Sequence, residues 1–312
     1  MEKFDVLNRS EFIKQLIDLV KNISNNRIST CFAIDGAWGC GKTFVLDMFE
    51  DKLSQIQSEE TFTNQYLIIR YNCWKYDYYE EPLVAIVASI LSIIEEQTKL
   101  FPDSEKKQEV LGILKAVGVS LLSIGGTVIK EKLGIDFHEF QKAFDIIDHG
   151  KKEGEASYEK EHDYDAYFSF NKVIKKLTSI LQNLAEDYTI VFLIDELDRC
   201  LPEYAIKVLE RLHHLLENTK NIISIIAIDK SQLYKSIQKT FGFNDAEKYL
   251  KKFIQFTVPL DTGVISERIT DKFSEYIKLF DIEMFPVEDS IEEFMQTVFK
   301  GIDIREQERL VN

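Results

Sequence analysis

The chain has 312 residues, 45% of them hydrophobic, which is enough for one α/β core with a smaller second unit. A formal net charge of −15 disfavours nucleic acid or an anionic membrane as a partner of the bulk surface. Four cysteines (Cys31, Cys40, Cys73 and Cys200) lack the close pairing of zinc ligands, and no apolar run follows the N-terminus, so a reduced cytoplasmic setting is expected.

In chain order, residues 4–24 read as a helix with Ser10 as its N-cap and Phe12, Leu16, Leu19, Val20 and Ile23 along one face. A strand over 30–34 ends on Asp35-Gly36, and a helix over 43–56 follows, with Val45, Leu46, Phe49 and Leu53 on one side. A second strand spans 66–71. The helix from Pro82 toward Glu96 is apolar nearly all round and should be buried. Residues 104–147 read as helical. They contain an uncharged run, 116–129, of 14 residues, against roughly 20 needed to cross a bilayer. Residues 148–165 are polar and charged and read as an exposed, mobile loop before a helix over 166–186. Strands are expected at 189–194, 222–228 and 253–258, helices at 203–218 and 245–252, and a wholly helical region over 264–312. Alternation of strands and helices predicts a mainly parallel sheet covered on both faces, an α/β protein of three layers.

The segment Gly36-Ala37-Trp38-Gly39-Cys40-Gly41-Lys42-Thr43 matches G-x-x-x-x-G-K-[ST] between a predicted strand and a predicted helix. Glycines let consecutive backbone N–H groups curl around a phosphate, and the helix N-terminus adds partial positive charge. Lys42 would reach the β- and γ-phosphates and the Thr43 hydroxyl would ligate Mg²⁺. Gly36, Trp38, Gly39, Cys40, Gly41, Lys42, Thr43 and Phe44 are the expected nucleotide contacts. ATP is the expected ligand, since no Asn-Lys-x-Asp segment is present to read guanine.

The apolar run 190–194 closes on Asp195-Glu196, a Walker B pattern. Asp195 would act through the metal and Glu196 would be the general base that orients the attacking water. Asp229 ends the fourth strand at the same sheet edge; it is a candidate contact to the water or γ-phosphate, or the cap of the helix that follows.

With these residues the sequence resembles the KAP family of P-loop NTPases. The resemblance rests on the phosphate loop with its Trp38, on Arg70-Tyr71-Asn72-Cys73-Trp74, on the stretch from Ile194-Asp195-Glu196-Leu197-Asp198-Arg199 to Cys200-Leu201-Pro202, on Ala227-Ile228-Asp229, and on Tyr249 to Gln255. It spans roughly residues 5–310. It implies strand order 5-1-4-3-2, a helical insertion between strands two and three (about 82–186) within a core of 1–260, and a C-terminal helical lid over 261–312, cut short relative to longer members. It also implies a Mg²⁺-dependent ATPase that works as a switch or assembly device, of a kind found in bacterial anti-phage systems, acting as a homo-oligomer or with effector subunits. Some members span membranes; the insertion here has no segment of that length. The resemblance further implies that residues 5–9 lie beside the base, or else form a plain N-terminal helix cap, and makes Arg305 a lid sensor of the γ-phosphate, or else a solvated helix charge. In related ring-forming ATPases a cation just before the fifth strand serves the neighbouring subunit. Lys251 and Lys252 hold that place, with Lys252 the candidate catalytic cation and Arg199 a second; the alternative for the lysines is a solvated helix end. A non-hydrolysing, ATP-controlled scaffold is the rival activity. His213 and His214 are adjacent on one helix and cannot both face one metal. Trp74, Tyr76, Tyr78 and Tyr79 read as core packing or a partner contact.

Overall fold

A computed structural model describes residues 9–56, 65–78, 81–96, 107–108, 110–114, 117, 163–217, 219–242 and 245–260. The elements are α1 (Ser10–Asn25), β1 (Thr30–Asp35), α2 (Lys42–Ser54), β2 (Tyr66–Asn72), α3 (Pro82–Glu96), α4 (Asp163–Asp187), β3 (Thr189–Asp195), α5 (Pro202–Leu216), β4 (Ile222–Ile228), α6 (Lys230–Phe241), α7 (Ala246–Leu250) and β5 (Phe256–Pro259). Single 3-10 turns, Trp74–Tyr76 and Leu197–Arg199, follow β2 and β3.

The strands form one five-stranded sheet in the order β2-β3-β4-β1-β5, with every pairing parallel. This is the expected 5-1-4-3-2 order of a P-loop NTPase, read from the other edge. Strands run apolar on both faces because both faces are covered. On β1, Phe32 and Ile34 pack with α1 and α2, whereas Cys31 and Ala33 join a core containing α3 through α7. The register sets Asn72 beside Asp195, Ile194 beside Ile226 and Asp35 beside Ile228, so the carboxyl ends of four strands share one edge.

Several boundaries differ from expectation. Ser10 is not the cap of α1; Arg9 is, with no side-chain cap bond, and Ser10 is the first helical residue. Residues 163–165 are helical and not loop. The last strand begins at Phe256, not 253. Phe253 and Ile254 still donate to the Leu250 carbonyl, and the Gln255 side chain, accepting from Cys31 N at 2.7 Å, occupies the place of a ladder bond. The helix expected over 245–252 is the shorter α7, capped by Asp245. The expected insertion is described only in part, and the lid at 261–312 lies outside the described residues, as do residues 118–162. No helix among the described residues is long and apolar enough to cross a membrane.

The core makes a quantitative demand. Phe49 is fully buried between α2 and the sheet. Phe49→Ala should lower unfolding free energy by about 3–5 kcal/mol in urea titrations. Phe256→Ala should cost less than half of that, since its ring is 39% exposed and only one face stacks on Phe32.

Candidate active site

β1 delivers the chain at Asp35 into the loop Gly36–Gly41, and α2 begins at Lys42. Gly39 (φ 82°) and Gly41 (φ 87°) are left-handed, a conformation in which side chains are strained. Gly36 needs glycine for a different reason: an added Cβ would lie 2.6 Å from Cys40 Sγ and 3.4 Å from Leu260 Cβ. Gly41 gives α2 no side-chain cap and the first turn holds no acid, so its N–H groups are left for an anion. Lys42 Nζ donates to the loop's own carbonyls, Gly36 O at 2.7 Å and Ala37 O at 3.3 Å. From behind, the buried Arg9 donates to Cys40 O at 3.3 Å, which ties the start of α1 to the loop. Burial pushes the Cys40 thiol up, with Lys42 and Arg9 drawing it partly back. Phe44 is half-buried on α2.

Asp195 is 2% exposed at the end of β3. Its Oδ2 accepts from Arg70 Nη2 at 3.0 Å, its Oδ1 from Glu196 N at 2.9 Å, and its carboxylate hydrogen-bonds the Thr43 side chain. Burial pushes this carboxyl above the usual aspartate range, Arg70 and Thr43 pull it down, and Glu196 adds to the rise. Arg70 also pairs with Asp47 (3.2 Å) and Glu50 (3.8 Å) on α2. The Thr43 hydroxyl and Asp195 carboxylate thus meet, and hard oxygen donors in that number suit Mg²⁺, which keeps waters and phosphate oxygens as its other ligands. Among the described residues no group of three or more His, Cys, Asp or Glu forms a protein cage.

Glu196 is left-handed (φ 60°) and both its oxygens are engaged. Oε1 pairs with Arg199 Nη1 at 2.8 Å and Oε2 accepts from Asn72 Nδ2 at 2.9 Å. Asn72 is itself fixed by accepting from Lys75 N, and the Arg199 guanidinium lies 5.5 Å over the Trp74 ring.

The other expected residues fall as follows. Asp229 caps α6, accepting from Gln232 N at 3.1 Å and Ser231 Oγ at 3.0 Å. Trp38 is half-exposed and donates to Asp198 Oδ2 at 2.7 Å. Lys251 and Lys252 precede β5, which opens opposite Phe32 near the start of β1, so they sit at the sheet end away from Gly36. Lys252 lies over the Tyr249 ring and Lys251 pairs with Glu247 at 3.7 Å. Arg305 and residues 5–8 lie outside the described residues. His213 meets Phe253 edge-on and His214 faces Glu217. Of the aromatic cluster expected as core packing or a partner contact, Tyr76 packs against the core, whereas Trp74 and Tyr78 are about half exposed and are not core. Sequence pattern alone assigns no individual role to Asp198, Arg70 or Asn72. A charged residue and an Asn inside an apolar strand were the available signals for the last two.

A family model described as the KAP family P-loop domain matches residues 9–281. Among solved structures, the ORC2 protein of Aeropyrum pernix in ADPNP–ADP complexes is similar at 11% identity and TM-score 0.43, over 88% of this chain and 53% of that one. A Walker-type ATPase of Pyrococcus abyssi is similar at 12% identity and TM-score 0.38, over 94% of this chain and 62% of that one. This chain therefore spans between half and two thirds of the length of those proteins. No curated protein sequence matches it.

The loop geometry can be checked with two substitutions. Gly36→Ala should lower both the melting temperature and nucleotide affinity, because Cys40 Sγ has to move. Adding Cys40→Ala removes that atom and should recover most of the melting temperature. Equal destabilisation in the single and double variants, by calorimetry, would contradict the contact.

Proposed function

Because the chain belongs to the KAP family of P-loop domains, we propose that it binds ATP with Mg²⁺ at Gly36–Thr43 and hydrolyses it slowly, as a switch. The observation that carries the reading is the placement of Glu196. It is a carboxylate one residue beyond the buried Asp195, at the sheet edge where the phosphate loop opens.

In this reading the loop N–H groups and the first turn of α2 bind the β-phosphate, and Lys42 leaves the Gly36 and Ala37 carbonyls for the β- and γ-oxygens. Thr43 and Asp195 hold Mg²⁺, which when bound offsets phosphate charge. Glu196 accepts hydrogen-bond donation from the attacking water and takes its proton. At rest that carboxylate is occupied by Arg199 and Asn72, so it has to be released before it can act. This supports slow basal turnover and control from outside. The same double engagement favours the rival reading, an ATP-controlled scaffold in which Glu196 is structural. A role in anti-phage defence is proposed from the family's occurrence in such systems, and a cytoplasmic setting from four free, buried thiols. Asp229 caps α6 through Oδ1 and stands at the same sheet edge, where it keeps its proposed contact to the water or γ-phosphate.

Lys42→Ala should weaken ATP binding by roughly a hundredfold, the scale of two charge-assisted hydrogen bonds. Glu196→Gln should bind ATP as the wild type does and lose turnover by about 10² to 10⁴-fold. Wild-type turnover in Glu196→Gln would favour the scaffold. We also propose a homo-oligomer in which Lys252 of one subunit serves the next. Turnover per subunit should then rise with protein concentration, and Lys252→Ala should lower turnover with affinity unchanged. Concentration-independent turnover by a monomer would rule this out.

A further inference from the structure

Asp198 lies on the 3-10 turn after β3, and its side chain is 2% exposed. One oxygen, Oδ2, accepts from Trp38 Nε1 at 2.7 Å and from Asp229 N at 2.9 Å, and lies 4.0 Å from Lys42 Nζ. Three parts of the site therefore converge on one carboxylate: the tip of the phosphate loop, its lysine, and the end of β4. Trp38 is 51% exposed. Burial of its ring cannot fix the loop tip, whereas a hydrogen bond to a charged, desolvated acceptor can. The next residue, Arg199, grips the general base Glu196. A turn of three residues thus touches the phosphate loop on one side and the base on the other.

We propose that Asp198 is a positioning residue: it latches the phosphate loop through Trp38 and serves as the resting counter-ion of Lys42 until phosphate takes its place. The inference rests on the phosphate-site reading above. It assigns two separable jobs to one carboxylate, accepting the indole N–H and opposing the lysine. Asparagine keeps the acceptor and removes the charge. Alanine removes both, and Trp38→Phe removes only the donor.

The test titrates the full chain with Mg²⁺ and a non-hydrolysable ATP analogue by calorimetry. Trp38→Phe should weaken binding roughly tenfold, Asp198→Ala by less because it also removes the anion competing for Lys42, and the double variant should bind as Asp198→Ala does, because both changes break the same bond. Asp198→Asn should bind at least as tightly as wild type, since the anion competing for Lys42 is gone. The chain has only two tryptophans, so in Trp74→Phe the emission reports Trp38 alone. That emission should change on adding the analogue, and the change should be lost in Trp74→Phe/Asp198→Ala. Losses that multiply in the double variant, Asp198→Asn as weak as Asp198→Ala, or an emission change that survives Asp198→Ala would each overturn the proposal. Absence of binding by the wild type would sink the phosphate-site reading itself, and the latch with it.

Discussion

A carboxylate held 2% exposed at the end of an apolar strand has lost nearly all its water, and an unpaired charge there would cost several kcal/mol. Asp195 is in that position, and much of the site is the set of groups that make it tolerable. Arg70 must come from β2, Thr43 from the first turn of α2, and the Glu196 N–H from a left-handed residue. Arg70 reaches Asp195 because β2 pairs with β3 in the register that sets Asn72 opposite Asp195, Thr43 because α2 begins at Lys42 directly after the loop, and the Glu196 N–H by adjacency in the chain. Slipping β2 by one residue would turn Arg70 to the other face of the sheet and leave the acid unanswered.

The same register explains how Glu196 is held. Its left-handed backbone costs of order 1–3 kcal/mol for a residue with a side chain. The conformation persists because Arg199 and Asn72 hold the carboxylate from two directions, and because the next three residues form a short turn whose Leu197 is fully buried. The local strain and the two polar contacts belong to one arrangement. A change at Trp74, over which Arg199 lies, therefore bears on the Glu196 carboxylate although the indole is at the surface.

The parts readable in the sequence were those carried by contiguous residues. Glycine spacing with Lys42 and Thr43 is local, and so is the apolar run that ends on Asp195-Glu196. The buried face of α2 follows from helical periodicity. The strand order, by contrast, came with the family likeness and not from any pattern of residues. The roles of Arg70, Asn72 and Asp198 were not legible because each is defined by a partner more than a hundred residues away. Asp229 reads as a phosphate contact or a helix cap, and the cap is visible only in the geometry around Gln232 N. The start of β5 was misplaced because Phe253 and Ile254 are apolar like strand residues, yet their N–H groups still belong to the turn after α7.

A Cβ added at Gly36 would meet Leu260, the residue that follows β5, at 3.4 Å, and Leu260 N donates to Asp35 O at 2.7 Å. The exit of the chain from the sheet is thereby fastened to the floor of the phosphate loop. A pull on the chain at Leu260 is therefore borne by the β1–β5 ladder and by the bond to Asp35 O. Tension downstream is thereby conducted to the residue that precedes the phosphate loop, and the loop's first glycine stands next to the anchor point.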